Sequence, residues 1–301
     1  MIINITGASG FVGKNLSAFL HNRGFTTNPV SLRMEGWSEA LVNQSLAIVH
    51  LAGKAHDMAD TTDEEEYFKI NTDLTVALFN AFLASETRDF YYFSSVKACA
   101  DVVSDVLFED TIASPVTPYG KSKLEAERYI QSMVLPAEKR VFIIRPCMIH
   151  GPENKGNLNL LYNVVKTGVP WPLASFKNQR SFLGIDNLNF LIERVLLNPA
   201  VSSGIYNFAD DDTLSTNDLV ASISSILGKK PSLWHISPKI IYGLAKVGDR
   251  LSLPLNTERL KKLTESYVVS NKKIKDELQL DKLPVSAQEG IRRTIKSFPH
   301  I

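Results

Sequence analysis

The stretch that most constrains the fold comes first. Met1-Ile2-Ile3-Asn4-Ile5-Thr6, rich in β-branched residues, runs into the turn Gly7-Ala8-Ser9-Gly10-Phe11-Val12-Gly13, and a helical pattern follows to about Arg23-Gly24. Strand, glycine turn and helix in that order build a phosphate cradle. Backbone N–H groups at a helix N-terminus must come close to the anion, where the helix dipole favours negative charge and a side chain would block contact. A dinucleotide is therefore expected against Gly7, Ser9, Gly10, Phe11, Val12 and Gly13. The predicted fold is α/β, a Rossmann doubly wound, mostly parallel sheet with a smaller C-terminal α/β substrate-binding lobe.

A second strand is predicted over Thr26–Leu32, ending in Ser31-Leu32-Arg33. That strand end faces the adenosine ribose in a dinucleotide fold, where an acid binds the 2′-hydroxyl and an arginine accommodates a 2′-phosphate. Arg33 and the lack of an acid favour NADP(H) among the NAD(P) cofactors. Met34 to Ser45 is short for a helix plus strand, so one sheet strand is expected to be reduced or missing. The next apolar strand, Leu46 to Ala52, leads into Gly53-Lys54-Ala55-His56 at the carboxyl edge, where ligands bind in open α/β sheets. The small Ala52 and Gly53 let a cofactor pass close to backbone, Leu51 beside them is a further cofactor candidate, and Lys54 and His56 are candidates for substrate or phosphate. The helix that follows carries Tyr67, Ile70, Asn71, Leu74, Ala77, Leu78 and Ala81 at helical spacing, a core stripe.

The chemistry is expected at Thr117-Pro118-Tyr119-Gly120-Lys121-Ser122-Lys123. Thr117 caps a helix with Pro118 at its first position, and Tyr119 and Lys123 lie four residues apart on one face. An ammonium under a phenol favours the phenolate and makes it usable for proton transfer. The same spacing occurs at Tyr162/Lys166 and Tyr242/Lys246, so spacing alone does not choose. Context does: the strand Phe90-Tyr91-Tyr92-Phe93 ends in Ser94-Ser95 ahead of Tyr119, and the other two pairs have no comparable serine before them.

The glycine turn in its G-x-x-G-x-x-G spacing, His50-Leu51-Ala52-Gly53, Phe93-Ser94-Ser95-Val96-Lys97, Pro118 to Lys123 and Ile144-Arg145-Pro146, in that order, resemble extended short-chain dehydrogenases/reductases, the NAD-dependent epimerase/dehydratase family. The resemblance covers nearly the whole chain. It implies Tyr119 as the acid/base, Lys123 as the ligand of the nicotinamide ribose that lowers the tyrosine pKa, and Ser95, with Ser94 as the alternative, on the sugar oxygen. It also implies cofactor contact at Pro146. Where many members continue with Val-Tyr-Gly, this chain has Ala98-Cys99-Ala100. The implied activity is hydride transfer at C4 of a UDP-hexose or UDP-hexosamine, as in a 4-epimerase. The alternative is an NADPH-dependent 4-ketoreductase of a UDP-4-keto-6-deoxyhexose or its amine. A 4,6-dehydratase is disfavoured, because Val96-Lys97 stand where its acid/base pair belongs. A rival of another class is a non-catalytic NADP-binding sensor. The family commonly dimerises through helices that correspond to Tyr67–Thr87 and Tyr119–Met133.

Beyond Pro146 the sequence is richer in Asn, Gly and Pro. Residues 1–150 are expected to form the dinucleotide-binding domain and 151–301 the substrate lobe, with about 180–210 returning to the main domain. Lys97, Asn157, Arg180 and, more distantly, Arg250 are the remaining substrate candidates. An arginine grips a diphosphate bidentately, which favours Arg180 ahead of Ser181-Phe182. Asp210-Asp211-Asp212 reads as a solvated turn, and no metal spacing is present. With 33 basic and 32 acidic residues the net charge is +1, which points to neither nucleic acid nor a membrane as partner. Cys99 and Cys147 are expected to be buried packing residues, and a cytoplasmic protein is predicted.

Overall fold

The computed structural model describes residues 1–55, 63–154, 156–251 and 256–298. Its organising element is a six-stranded sheet in the order β2-β1-β3-β4-β6-β9, parallel at every pairing. The strands are β1 (Ile2–Thr6), β2 (Thr26–Val30), β3 (Ala47–His50), β4 (Asp89–Phe93), β6 (Arg140–Pro146) and β9 (Gly204–Phe208). The short β5 (Val106–Leu107) lies between β4 and β6 in the chain and outside this sheet. From β1 the chain steps outward to β2 and returns across β1 to β3. The strand order reverses there, so a crevice opens beyond the carboxyl ends of β1 and β3.

Only a 3-10 turn at Trp37–Ala40 separates β2 from β3, so the shortened half-sheet expected from Met34–Ser45 is what the chain forms. As an edge, β2 tolerates Pro29, which has no N–H to give a second neighbour.

The central strands are apolar on both faces, as a covered parallel sheet requires. Alternate residues divide between two cores. Val49, Tyr91, Phe142 and Ile144 pack with Leu16 and Leu20 of α1 (Phe11–Asn22) and with Leu188, Leu191 and Ile192 of α6 (Ile185–Leu197). Ile48, Phe90, Tyr92, Val141 and Ile143 pack with Phe79 and Phe82 of α3 (Leu74–Ala84) and with Ala126 and Ile130 of α4 (Pro118–Ser132). Before α3, the short α2 (Glu64–Phe68) passes through a π turn at Lys69–Asp73. Cys99 and Cys147 are buried in the first core.

The second lobe has its own core. A three-stranded sheet joins β7 (Met148–His150), β8 (Arg180–Gly184) and β10 (Thr213–Leu214). Around it lie α5 (Asn157–Lys166), α7 (Thr216–Ile226), α8 (Pro238–Leu251), α9 (Thr257–Thr264) and α11 (Ala287–Lys296). Tyr162, Trp171, Phe182, Ile223, Ile241, Leu260 and Ile295 fill that core. β11 (Val268–Val269) pairs with β5, and α10 (Lys272–Leu278) packs on β9, so the chain crosses between the lobes repeatedly.

The acidic run is solvated at its exposed Asp212, as its sequence suggests, but its first two members are claimed by other segments. Asp210 is buried, accepts from the Gly184 N–H and from Asn187, and so fixes the β8–α6 corner to the end of β9. Asp211 accepts from Asn271, Lys275 and the Leu283 N–H. Adjacent acids in a turn look alike in sequence, and the donors that claim these two come from distant segments.

Gly13 shows why the phosphate turn must be glycine at its third position. A Cβ there would stand 2.3 Å from the Gly7 carbonyl oxygen and 2.6 Å from Ala8 Cα, both backbone. Gly13→Ala is expected to cost about 1–3 kcal/mol by opening the turn, measured by urea unfolding. A change within about 0.5 kcal/mol would mean the turn is looser than described.

Candidate active site

The loops at the carboxyl ends of β1, β3 and β4 converge. Gly7, at φ 70°, leaves no room for a side chain: its Cβ would meet the Ala52 nitrogen at 2.7 Å and the Leu51 carbonyl carbon at 2.8 Å. Gly53, next along that segment, sits against α4, and a Cβ there would lie 2.9 Å from Asn71 Oδ1 and 3.1 Å from Lys123 Nζ. The glycine turn, Leu51-Ala52-Gly53 and Lys123 therefore form one continuous wall. Gly10 caps α1, its N–H donating to the Gly7 carbonyl at 3.0 Å, while Ser9 is exposed at the rim and Phe11 reaches Gly151 beyond β7. This cradle, with its space kept free by glycines, fits the pyrophosphate of a dinucleotide. Arg33 is exposed just past the end of β2, and Pro146 is buried at the end of β6.

Ser95 and Tyr119 meet across the crevice. Burial pushes the Tyr119 phenol up from its ordinary pKa, and the nearby Ser95 hydroxyl opposes that rise. Thr117 caps α4 by accepting from the Gly120 N–H at 3.2 Å, with Pro118 at the first position, as the sequence predicts. Gly120 is what lets the pair meet: a Cβ on it would lie 2.4 Å from the Lys97 carbonyl oxygen and 2.8 Å from Pro115 Cβ. The first turn of α4 thus rests directly on the turn that carries Ser95. Ser94 points elsewhere and donates to Glu127.

Lys123 is buried, and its Nζ donates to the Phe93 carbonyl at 2.9 Å while lying 5.1 Å from the centre of the Tyr92 ring. Burial lowers its pKa to about 8, with Glu127 opposing. The spacing argument placed this ammonium under the phenol. Here it is drawn to the strand-end carbonyl, the acceptor available to a buried cation.

Beneath Lys123 lies a network that sequence reasoning missed. Glu127, fully buried one turn further along α4, accepts from Arg145 Nη2 at 2.6 Å and Nε at 3.0 Å as well as from Ser94. His50 is buried between Thr6 Oγ1 at 2.7 Å and Thr75 Oγ1 at 2.9 Å, and desolvation, helped by the Lys123 charge, drops its pKa to about 3. Asn71, on the π turn, accepts from the Lys54 N–H and donates to the Lys54 carbonyl and to Ser122. The sequence placed Asn71 on the buried helix stripe without its partners and gave no signal for Glu127.

Lys97, on the turn that carries Ser95, lies near enough to Arg180 of β8 for the arginine's charge to act on it. Lys97 Nζ donates to the Asp101 carbonyl at 2.7 Å, and Arg180 Nη1 to the Lys262 carbonyl at 2.8 Å. Burial lowers both pKa values, and for Lys97 the nearby Arg180 and Lys262 charges add to the fall. Lys54 pairs with Glu66 at 2.7 Å, and Arg250 is exposed near the end of α8. Asn157 begins α5, and His56 lies outside the described residues. The rival tyrosines are elsewhere: Tyr162 packs edge-on against Phe298 and Tyr242 against Phe176.

Residues 3–209 match the model of the family described as "NAD dependent epimerase/dehydratase family". The chain belongs to this family. Among curated relatives, a Vibrio cholerae protein named UDP-glucose 4-epimerase is 28% identical over 98% of this chain and 95% of its own length. An Escherichia coli O157:H7 protein named N-acetyl-alpha-D-glucosaminyl-diphospho-ditrans,octacis-undecaprenol 4-epimerase is 28% identical over 78% of this chain and 69% of its own. Among solved structures, MoeE5 in complex with UDP-glucose and NAD superposes with a TM-score of 0.77 at 18% identity, over 99% of this chain and 98% of that one. That likeness shows the fold.

The buried Lys123 makes a measurable demand on stability. Below about pH 8 its ammonium is charged in the folded and unfolded chain alike, and the burial cost stands in full. Between about 8 and 10.5 the unfolded chain still holds a proton that the folded chain has released, so stability rises with pH. Relative to Lys123→Met, the wild-type protein is expected to gain up to about 3 kcal/mol across that window, read from denaturant unfolding at several pH values. A flat difference would place the ammonium in solvent.

Proposed function

We propose that the protein is a nicotinamide-dependent 4-epimerase of a hexose or hexosamine carried on a diphosphate, in the first instance a UDP-sugar. One observation carries this reading: the first turn of α4 rests on the turn that carries Ser95, which brings Tyr119 near the Ser95 hydroxyl, with Lys123 one turn along the same helix and against the glycine-walled crevice. The full-length similarity to the Vibrio cholerae protein of that name supports it.

A dinucleotide fits Gly7 to Gly13, Leu51 to Gly53 and Lys123, and when bound it supplies reversible hydride acceptance at its nicotinamide ring. As the C4–H bond of the sugar breaks, Tyr119 Oη takes the proton of the 4-hydroxyl and leaves a 4-keto group. Ser95 holds the same oxygen throughout. On return of the hydride to the opposite face of C4, the Tyr119 phenol gives the proton back, and the configuration is inverted. Burial favours the neutral phenol, the form that donates, while the Ser95 hydroxyl favours the phenolate that must accept. Lys123 supplies the positive charge that helps the second state. Lys97 and Arg180, two desolvated cations, suit the diphosphate. The Escherichia coli O157:H7 relative is named for a sugar carried on a diphosphate with a polyprenol, so the diphosphate is the feature shared with a nucleotide sugar.

Exposed Arg33 at the end of β2 favours NADP(H), and with it the second reading, a 4-ketoreductase that consumes one NADPH per sugar. α3 and α4 lie side by side, joined by the Tyr129–Asn80 hydrogen bond at 2.8 Å, and form the surface on which two copies would pair.

Tyr119→Phe is expected to lower kcat at least about 100-fold on UDP-hexoses while dinucleotide affinity changes little, measured by turnover and by nicotinamide fluorescence. Unaltered turnover would mean that another residue moves the proton. Interconversion of 4-epimers without net cofactor use marks the epimerase, and stoichiometric NADPH oxidation with a 4-keto sugar marks the reductase. Arg33→Asp is expected to move preference from NADP to NAD by about tenfold or more, through loss of the 2′-phosphate partner. An unmoved ratio of the two dissociation constants removes Arg33 from the cofactor site.

A further inference from the structure

The outer face of α8 is apolar and uncovered. Ile240, Leu244, Val247 and Leu251 follow one another at i, i+4, i+7 and i+11 and are 58%, 53%, 47% and 64% exposed. The residues that fasten the helix to the lobe core, Ile241, Ala245 and Gly248, lie on the neighbouring strip. On the other side of the exposed stripe, away from the core, stand Lys239, Lys246 and Arg250, all exposed. The one acid of this helix, Asp249, is turned to the start of α9, where it accepts from the Thr257 N–H and hydroxyl.

Charge is concentrated in the same region. Residues 229–264 hold eight Lys and Arg against Asp249 and Glu258, a net +6, in a chain whose total is only +1. The remainder is therefore net −5. An apolar stripe bordered by cations on a helix too short and too polar on one side to cross a bilayer is the pattern of an interfacial helix. No helix among the described residues is long and apolar enough to span a membrane.

We infer that α8 docks this protein onto an anionic bilayer surface, with Ile240, Leu244, Val247 and Leu251 entering the headgroup boundary and Lys239, Lys246 and Arg250 meeting lipid phosphate. A second copy fits poorly, because a two-fold contact would set the same basic patch against itself. A nucleic acid would use the cations and leave the four aliphatic side chains in water. The inference goes beyond the proposed function and stands whether or not that reading holds. α9, which packs against α8, also holds Arg180 through the Lys262 carbonyl, so the docked face adjoins the basic side of the crevice.

The test is sedimentation of the full chain with vesicles of phosphatidylcholine alone or with phosphatidylglycerol. Wild-type protein is expected to bind the anionic vesicles and to be released by salt. Leu244→Glu with Val247→Glu, at exposed positions that leave the core untouched, is expected to weaken binding more than about tenfold with an unchanged Tm. Lys239→Gln with Lys246→Gln is expected to weaken binding to anionic vesicles severalfold. Absence of wild-type binding, or binding that both double variants retain, overturns the inference. So does a concentration-dependent dimer, or a complex with an acidic protein, that the glutamates abolish while vesicles do not bind. Turnover of soluble UDP-sugar without vesicles is expected to be the same in the glutamate variant. A loss of vesicle binding therefore does not bear on the proposed chemistry, and a failed sugar assay does not bear on docking.

Discussion

The site depends on one buried carboxylate. Glu127 has no exposure, so leaving it unpaired would cost several kcal/mol, and only a full set of donors makes its position tolerable. Arg145 supplies them from β6 and Ser94 from the end of β4. Because both donors belong to rigid strands, the rotation of α4 on the sheet has little freedom. Lys123, one turn earlier on the same helix face, is thereby directed to the Phe93 carbonyl, and Tyr119, one turn earlier again, to Ser95. Gly120 completes the arrangement by letting backbone touch backbone where α4 starts.

Two opposed electrostatic settings follow. Around His50, Lys123 and Tyr119, burial favours each group in its neutral form. Beside them, Lys97 and Arg180 are also desolvated, and the Arg180 charge adds to the cost at Lys97. One setting is thus poised to exchange protons and the other to receive an anion, which matches a substrate with a hydroxyl to oxidise at one end and a diphosphate at the other.

Much of this was legible in the sequence because it is local. The glycine turn, the cap at Thr117-Pro118, the strand-end serines and the shortened connection after β2 each follow from adjacent residues. What was not legible is pairing over distance. Glu127 carries no signal in the sequence until Arg145 is brought beside it. Asp210 and Asp211 read as a wet turn until Asn187, Asn271 and Leu283 claim them. The Tyr119–Lys123 spacing carries no sign of the strand-end carbonyl of Phe93, to which the ammonium donates. Net charge is likewise a sum: +1 over the whole chain contains +6 in residues 229–264 and −5 elsewhere.

The π turn at Lys69–Asp73 separates two duties that a straight helix could not combine. On its near side Tyr67 stands edge-on to Tyr119 at 6.1 Å between ring centres, and on its far side Leu78, Phe79 and Phe82 are buried against the sheet. A wider turn shifts the phase of everything after it relative to everything before it. Shortening that turn by one residue would swing the α3 aromatics about 100° around the helix axis and out of their core, even with every side chain preserved. Tolerance to deletion here should therefore be far lower than tolerance to substitution, and the exact residue count between Tyr67 and Leu78 carries as much structural information as the residues themselves.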